Sequence, residues 1–172
     1  ISFFYLLRVP ETLIILRSQQ LGVSVASVLL LWALLHVVRS SSSFVGGALT
    51  DGIGPARTMW LGWAAYALIA SGFSVAQTAA EAWLLFLALG VVAGLTESPE
   101  RALVAKLSGA RQGSGFGAYH GVTGFAALIG GVGLGGLFQR FGAGPAFLAS
   151  AAGAGALVLA WPLLAARLGS ES

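Results

Sequence analysis

Six ionisable side chains sit among almost wholly apolar neighbours: Arg8, Glu11, Arg39, Glu97, Glu100 and Arg101. His36 and His120 keep similar company. Carboxylates, guanidinium groups and imidazoles in such surroundings can hold a charged solute, pass protons or lock helices together through ion pairs. Arg8 and Glu11 are three residues apart, which places them on one helical face and within reach of each other. Pro10, between them, removes a rung of the backbone ladder and predicts a kink. The two charges read either as a structural ion pair or as a substrate- or proton-handling pair. Trp32, His36, Arg39 and Ser43 recur at helical spacing and form one polar-aromatic stripe. A lone His is usually a hydrogen-bonded core residue, but one beside an Arg at this depth reads equally as functional. Ser40 to Ser43 could cap freed carbonyls or bind substrate, and packing is the favoured reading. Further on, the polar turn Thr96-Glu97-Ser98-Pro99-Glu100-Arg101 interrupts an apolar run, and Tyr119-His120 reads as an interfacial pair.

The elements that must position these groups follow from composition. Of 172 residues, 57% are hydrophobic and only 9% are Asp, Glu, Lys or Arg, against about 45–50% and about 25% in soluble domains. Nine basic and six acidic side chains cannot cover a soluble core of this size. A water-soluble enzyme, a nucleic-acid-binding module and a disordered tail are therefore excluded. The net charge of +3 comes from one lysine and eight scattered arginines with no cluster, so no nucleic-acid partner is expected. Absence of cysteine removes a disulfide framework, a thiol nucleophile and a cysteine zinc site. No catalytic residue, metal or cofactor is expected.

A bilayer core takes roughly 20 apolar residues per helix, and six such spans are legible, at approximately 1–19, 24–49, 58–76, 82–107, 113–138 and 144–166. Turn chemistry separates them, as in Asp51-Gly52-Ile53-Gly54-Pro55 and Arg140-Phe141-Gly142. No short alternating segments suggest a β-barrel. The fold class expected is an all-α membrane protein, a six-transmembrane-helix bundle over 1–172. Taking the 51–57 loop as cytoplasmic gives that side Arg57, Lys106, Arg111 and Arg167, against Arg17 and Arg140 on the other, which places the C-terminus in the cytoplasm. The chain begins at Ile1 inside an apolar stretch, so a missing upstream segment is expected.

Glycine is abundant, with 25 residues. Gly113, Gly117 and Gly121 fall four apart, and Gly131 and Gly135 repeat the spacing; small residues so placed let helices pack closely, or slide in a conformational cycle. Gly131-Val132-Gly133-Leu134-Gly135-Gly136 matches G-x-G-x-x-G, but such a fingerprint binds a dinucleotide only between a strand and a helix start. Here it falls at the end of a transmembrane span, and no nucleotide is expected.

Facing lipid, the six buried charges would together cost about 15–20 kcal/mol. They must line a hydrated interior or pair with one another.

The segment Gly47-Ala48-Leu49-Thr50-Asp51-Gly52-Ile53-Gly54-Pro55-Ala56-Arg57 resembles the G-x-L-x-D-x-x-G-x-x-R loop of the major facilitator superfamily, which recurs in both halves of those transporters. Gly47, Leu49, Asp51, Gly54 and Arg57 match; Gly52, Pro55 and Ala56 stand at positions that are often basic, as in the weaker second-half copy. The stretches Glu97–Ala105 and Gly115–His120 look like the tenth and eleventh helices of bacterial members. The resemblance implies the C-terminal half of a twelve-helix fold in a bacterial cytoplasmic membrane, helices seven to twelve, with the N-terminal half absent. It further implies a cytoplasmic gate of Gly47, Leu49, Asp51, Gly54, Arg57, Glu97, Glu100 and Arg101, in which Asp51 caps a helix N-terminus and pairs with Arg57 or Arg101. Arg8, Glu11, Trp32, His36 and Arg39 become candidates for a central cavity.

The function expected is secondary transport of a small solute by alternating access. Proton coupling is attached to Glu11, Glu97 and His36, whose titration the surroundings can move into the physiological range. Partners are then the solute, the lipid bilayer, and either a missing six-helix half or a second copy. Alternatives are a non-transporting scaffold in which all charges are structural pairs, a half-size homodimeric transporter, and, least favoured, an intramembrane protease using Ser114 and His36. Ser114 has Gln112 two residues before it, where a G-x-S-G nucleophile has glycine, and it falls at a helix start near the cytoplasm.

Overall fold

A computed structural model describes residues 1–169, with side chains through Pro162. Arg167 and the C-terminus, used above to orient the chain, lie outside the described side chains. Regular structure among the described residues is all helical: α1 (Ser2–Leu7), α2 (Glu11–Gln20), α3 (Val25–Ile53), α4 (Pro55–Val75), α5 (Ala79–Ser108), α6 (Gln112–Phe141) and α7 (Ala143–Gly169). Five of these, α3 to α7, are long and apolar enough to cross a membrane, and the protein is an integral multi-pass membrane protein. Large apolar side chains such as Leu29, Leu68, Leu84, Val132 and Leu159 are more than half exposed around the outside, as a lipid-facing belt requires.

The first expected span, 1–19, is two helices. Arg8 is extended (φ −74°, ψ 127°) and Pro10 stands immediately before α2, where its missing N–H costs nothing. A break at this depth frees backbone groups that lipid cannot satisfy, and a buried relay from two other helices does so. Val9 N–H donates to Tyr66 Oη (2.7 Å), and Ser150 Oγ donates to Leu7 O (2.6 Å). Tyr66 and Ser150 Oγ are 2.7 Å apart; with the serine hydrogen committed to Leu7, the Tyr66 hydroxyl must be the donor between them. Tyr66 and Ser150 are both essentially buried.

Packing centres on α5, which meets α3, α4 and α6. Glycine sets the α3–α5 approach. A Cβ on Gly94 would lie 2.5 Å from the Ser42 carbonyl carbon, and one on Gly90 would lie 2.9 Å from Val38. One on Gly46 would run into the Gly94 carbonyl. The glycines singled out by spacing behave differently. Gly113, Gly117, Gly121 and Gly135 have nothing within 4 Å of a built Cβ, and Gly131 meets only the Pro10 ring. On α6 it is Gly130 that lies against the Leu6 backbone. Four-residue spacing marks a smooth face without saying whether this chain covers it, and this chain leaves those glycines outside its internal packing.

The core joins α4, α5 and α7 to α1. Trp63 stacks on Phe4 (5.6 Å between ring centroids) and meets Trp161 edge-on at 5.2 Å. Phe73 of α4 lies 5.2 Å from Phe147 of α7. Arg17 donates to the carbonyls of Ala76 (2.7 Å) and Phe73 (3.4 Å), so it closes the C-terminal end of α4, a favourable place for a cation. Thr78 and Glu81 form a reciprocal capping box at the start of α5, which satisfies two otherwise unpaired N–H groups.

The segment 51–57, expected as a loop, is helical apart from one residue. Asp51 to Ile53 finish α3 and Pro55 opens α4; only Gly54, with φ +86° and ψ 156°, stands outside. A positive φ there favours glycine, and one residue suffices for the turn because Pro55 starts the next helix with no N–H to satisfy.

Two outcomes follow. Tyr66→Phe leaves Val9 N–H and Ser150 without their partner, at about 1–3 kcal/mol. The thermal midpoint of the purified protein in detergent should fall by several degrees, whereas Leu68→Ala, at an exposed position on the same helix, should leave it nearly unchanged. Gly94→Val should separate α3 from α5 and give a lower midpoint than Gly117→Val, whose Cβ meets open space.

Candidate functional site

Close approach of α3 and α5 places Arg39 opposite Glu97. Arg39 lies at the midpoint of α3, roughly 21 Å from either end at 1.5 Å per residue, which is the depth of greatest cost for a charge. Both Glu97 oxygens answer it: Nη2 pairs with Oε1, and Nε donates to Oε2 at 3.3 Å. Arg101, one turn on, reaches Oε2 at 3.7 Å and is itself 71% exposed. Glu97 thus lies between two guanidinium groups. Neighbouring hydroxyls stitch the same contact: Ser43 Oγ donates to Arg39 O (2.8 Å), and Ser98 Oγ donates to Ser43 O (3.4 Å). Packing is the expected role of the serines at 40–43, and Ser43 lies in the α3–α5 contact through its carbonyl oxygen.

Arg8 and Glu11 form the expected i, i+3 pair across the helix break, at 3.7 Å. With Arg39 they line a cleft against Leu35, Phe86 and Leu89 that closes to about 10 Å³. Beside it, Tyr5, Arg8, Pro10, Glu11 and Ala127 border a wider cavity of about 190 Å³. His36 is exposed and meets the Trp32 ring edge-on at 5.8 Å. Of the five cavity candidates, three line the cleft together; Trp32 is half-buried beside it, 6.3 Å from the Phe86 ring, and His36 is exposed on the same helix.

Glu100 departs from its expected place in a gate. It is 1% exposed, and its Oε2 accepts hydrogen bonds from Tyr119 (2.6 Å) and Tyr5 (2.9 Å). Its Oε1 is buried with no partner among the described residues. Pro99, inside α5, has no N–H to donate to Leu95, and the turn it loosens is the one carrying Glu97, Glu100 and Arg101. Sequence reasoning misses Tyr5 and takes Tyr119 only as interfacial. A tyrosine in an apolar span is the available signal, but it does not say which carboxylate it will meet.

The rest of the expected gate stays open. Asp51 and Arg57 are exposed and form no ion pair among the described residues, and Arg101 pairs with Glu97, not with Asp51. Asp51 occupies the last turn of α3, so it caps no helix N-terminus. Gly47 has no neighbour within 4 Å of a built Cβ, and Leu49 is half-buried.

A double-mutant cycle checks the central pair. Glu97→Gln alone should lower the thermal midpoint, because it strips Arg39 of its bidentate partner. Arg39→Gln combined with Glu97→Gln should cost less than the two single losses added, with a coupling of about 0.5–3 kcal/mol; strict additivity would show that the pair contributes nothing. No family model, no curated protein and no solved structure matches this chain.

Proposed function

We propose that this chain forms one half of a secondary transporter of the major facilitator type, moving a small solute by alternating access across a bacterial cytoplasmic membrane. The observation that carries the reading is a polar face at membrane depth that this chain leaves uncovered. Arg39 sits at the centre of α3, the candidate span least covered by the other helices. Glu11 keeps 41% of its side chain accessible, and His36 and His120 are exposed. Lipid is a poor neighbour for such groups, so a second set of helices would close over them and make a water-filled cleft between the two halves.

Two further features support the reading. The first span is interrupted beside Arg8 and Glu11, and interrupted helices with charged flanks are a mark of midplane binding sites in transporters. The open glycines of α6, Gly113, Gly117 and Gly121, offer a smooth face on which a partner half can pack and move. By this reading Arg8, Glu11 and Arg39 hold the solute, while the single-residue turn at Gly54 keeps α3 and α4 moving as one unit.

These 172 residues hold no cysteine, so a thiol-labelling test needs only that any cysteine elsewhere in the full-length protein be replaced first. Ser40→Cys on α3 and Gly121→Cys on α6 place single thiols on exposed positions of the uncovered face. In membranes carrying the full-length protein, a membrane-impermeant maleimide should modify each thiol from either side, because alternating access exposes the cleft to both. Labelling from one side only, or from neither, would overturn the transporter reading and leave a static scaffold.

A further inference from the structure

Among the membrane carboxylates, Glu100 stands alone in having no guanidinium within ion-pair distance among the described residues. Glu97 has Arg39 and Arg101, and Glu11 has Arg8. An ionised carboxylate offers about four acceptor sites over two oxygens, and in a dry interior each oxygen needs donors or a cation. Glu100 has two donors, and both go to Oε2. Its other oxygen is buried and bare.

A neutral carboxylic acid fits this arrangement better than a carboxylate does. As the carbonyl oxygen, Oε2 accepts one hydrogen bond on each of its lone pairs, from Tyr5 and Tyr119. As the hydroxyl oxygen, Oε1 carries the proton and needs no donor; its O–H finds no acceptor among the described residues, a smaller cost than a bare, charged oxygen in the same place. The phenol oxygens lie 3.4 Å apart, which suits two hydroxyls both directed at the same acceptor and not at each other.

We infer that Glu100 is a proton-binding site, neutral in this structure with its proton on Oε1, and that it exchanges this proton with the cavity it borders. That cavity, about 150 Å³, is shared with Tyr5 of α1, Arg39 of α3, Glu97 and Arg101 of α5, and Tyr119 and His120 of α6. Arg8 acts on Glu100 from further off. Glu100 lies eight residues before the end of α5, a depth of roughly 12 Å along the helix. The exposed Arg101 guanidinium at the cavity rim marks a route by which solvent reaches it. Release is a simple heterolysis: the O–H bond of Oε1 breaks, its electron pair stays on the carboxylate, and the proton leaves to solvent with no redox partner. The two phenols stay as donors to the resulting anion, so the site can return to the neutral form without rebuilding its hydrogen bonds.

The site stands on this geometry; its use in driving transport rests on the transporter reading above. Infrared difference spectroscopy of the full-length protein in lipid, stepped between neutral and alkaline pH, tests it directly. A carbonyl-stretch band of a protonated carboxyl group should be present at neutral pH and vanish at high pH. Glu100→Gln, which keeps the shape of the neutral acid, should abolish the band, whereas Glu97→Gln and Glu11→Gln should leave it. Tyr119→Phe removes one hydrogen bond from the carbonyl oxygen and should move the band to higher wavenumber. A wild-type spectrum with no such band, or a band that survives Glu100→Gln, would overturn the assignment, as would a band unmoved by Tyr119→Phe. If the band behaves as expected while the Ser40 and Gly121 thiols label from one side only, the proton site stands and the transporter reading falls.

Discussion

The approach of α3 to α5 is the contact on which the polar centre of this protein depends. It is possible only because Gly46, Gly90 and Gly94 carry no side chain where the two backbones meet. In lipid there is no hydrophobic gain from bringing two helices together, so close van der Waals contact and buried hydrogen bonds must hold them. The same proximity lets a guanidinium at the middle of α3 reach a carboxylate on α5 with two contacts. Without the glycines, Arg39 and Glu97 would be two separate charges at membrane depth, each costly; with them, one contact serves both packing and charge compensation.

A second constraint shapes the other side of the bundle. Breaking the first span at Arg8 to Pro10 turns the Arg8 and Glu11 side chains to a common cleft, but it also strands backbone groups in an apolar interior. Tyr66 from α4 and Ser150 from α7 satisfy them in one directional chain of hydrogen bonds. The break is therefore held by two helices remote in sequence, and its geometry is tied to the α4–α7 packing around Trp63, Phe73 and Phe147. Arg17, by sequence another charge near the membrane, is occupied in closing the end of α4.

The charged groups sort by how completely they are answered. Glu97 has two cations, Arg8 and Glu11 have each other, and Glu100 has two phenols on one oxygen and nothing on the other. Polar atoms left bare in a bilayer interior are expensive, so an asymmetry of this kind says something about protonation and not only about packing. On α3 and α6 other polar side chains, His36 and His120 among them, are exposed and not packed inside the bundle.

The five long helices and their approximate extents are legible from apolar run length, because the thickness of the hydrocarbon core sets one length for every crossing. The Arg8–Glu11 pair is legible as well, although the helical face that three-residue spacing implies is not what forms it: Arg8 is extended and the pair spans the break before α2. The break at Pro10 shows in the sequence as a kink, but the relay that makes it tolerable does not, because nothing local links Val9 to Tyr66 and Ser150. Gly113, Gly117 and Gly121 share four-residue spacing with Gly90 and Gly94, yet only the latter pair is packed, since periodicity marks a smooth face without naming what lies against it. Sequence groups Glu100 with the gate because it follows Glu97 by one turn; yet that turn points it inward to Tyr5 and Tyr119 while Glu97 meets Arg39. Which carboxylate finds a cation and which finds only hydroxyls is decided by how α1, α3 and α6 surround α5, and no pattern along a single helix contains that information.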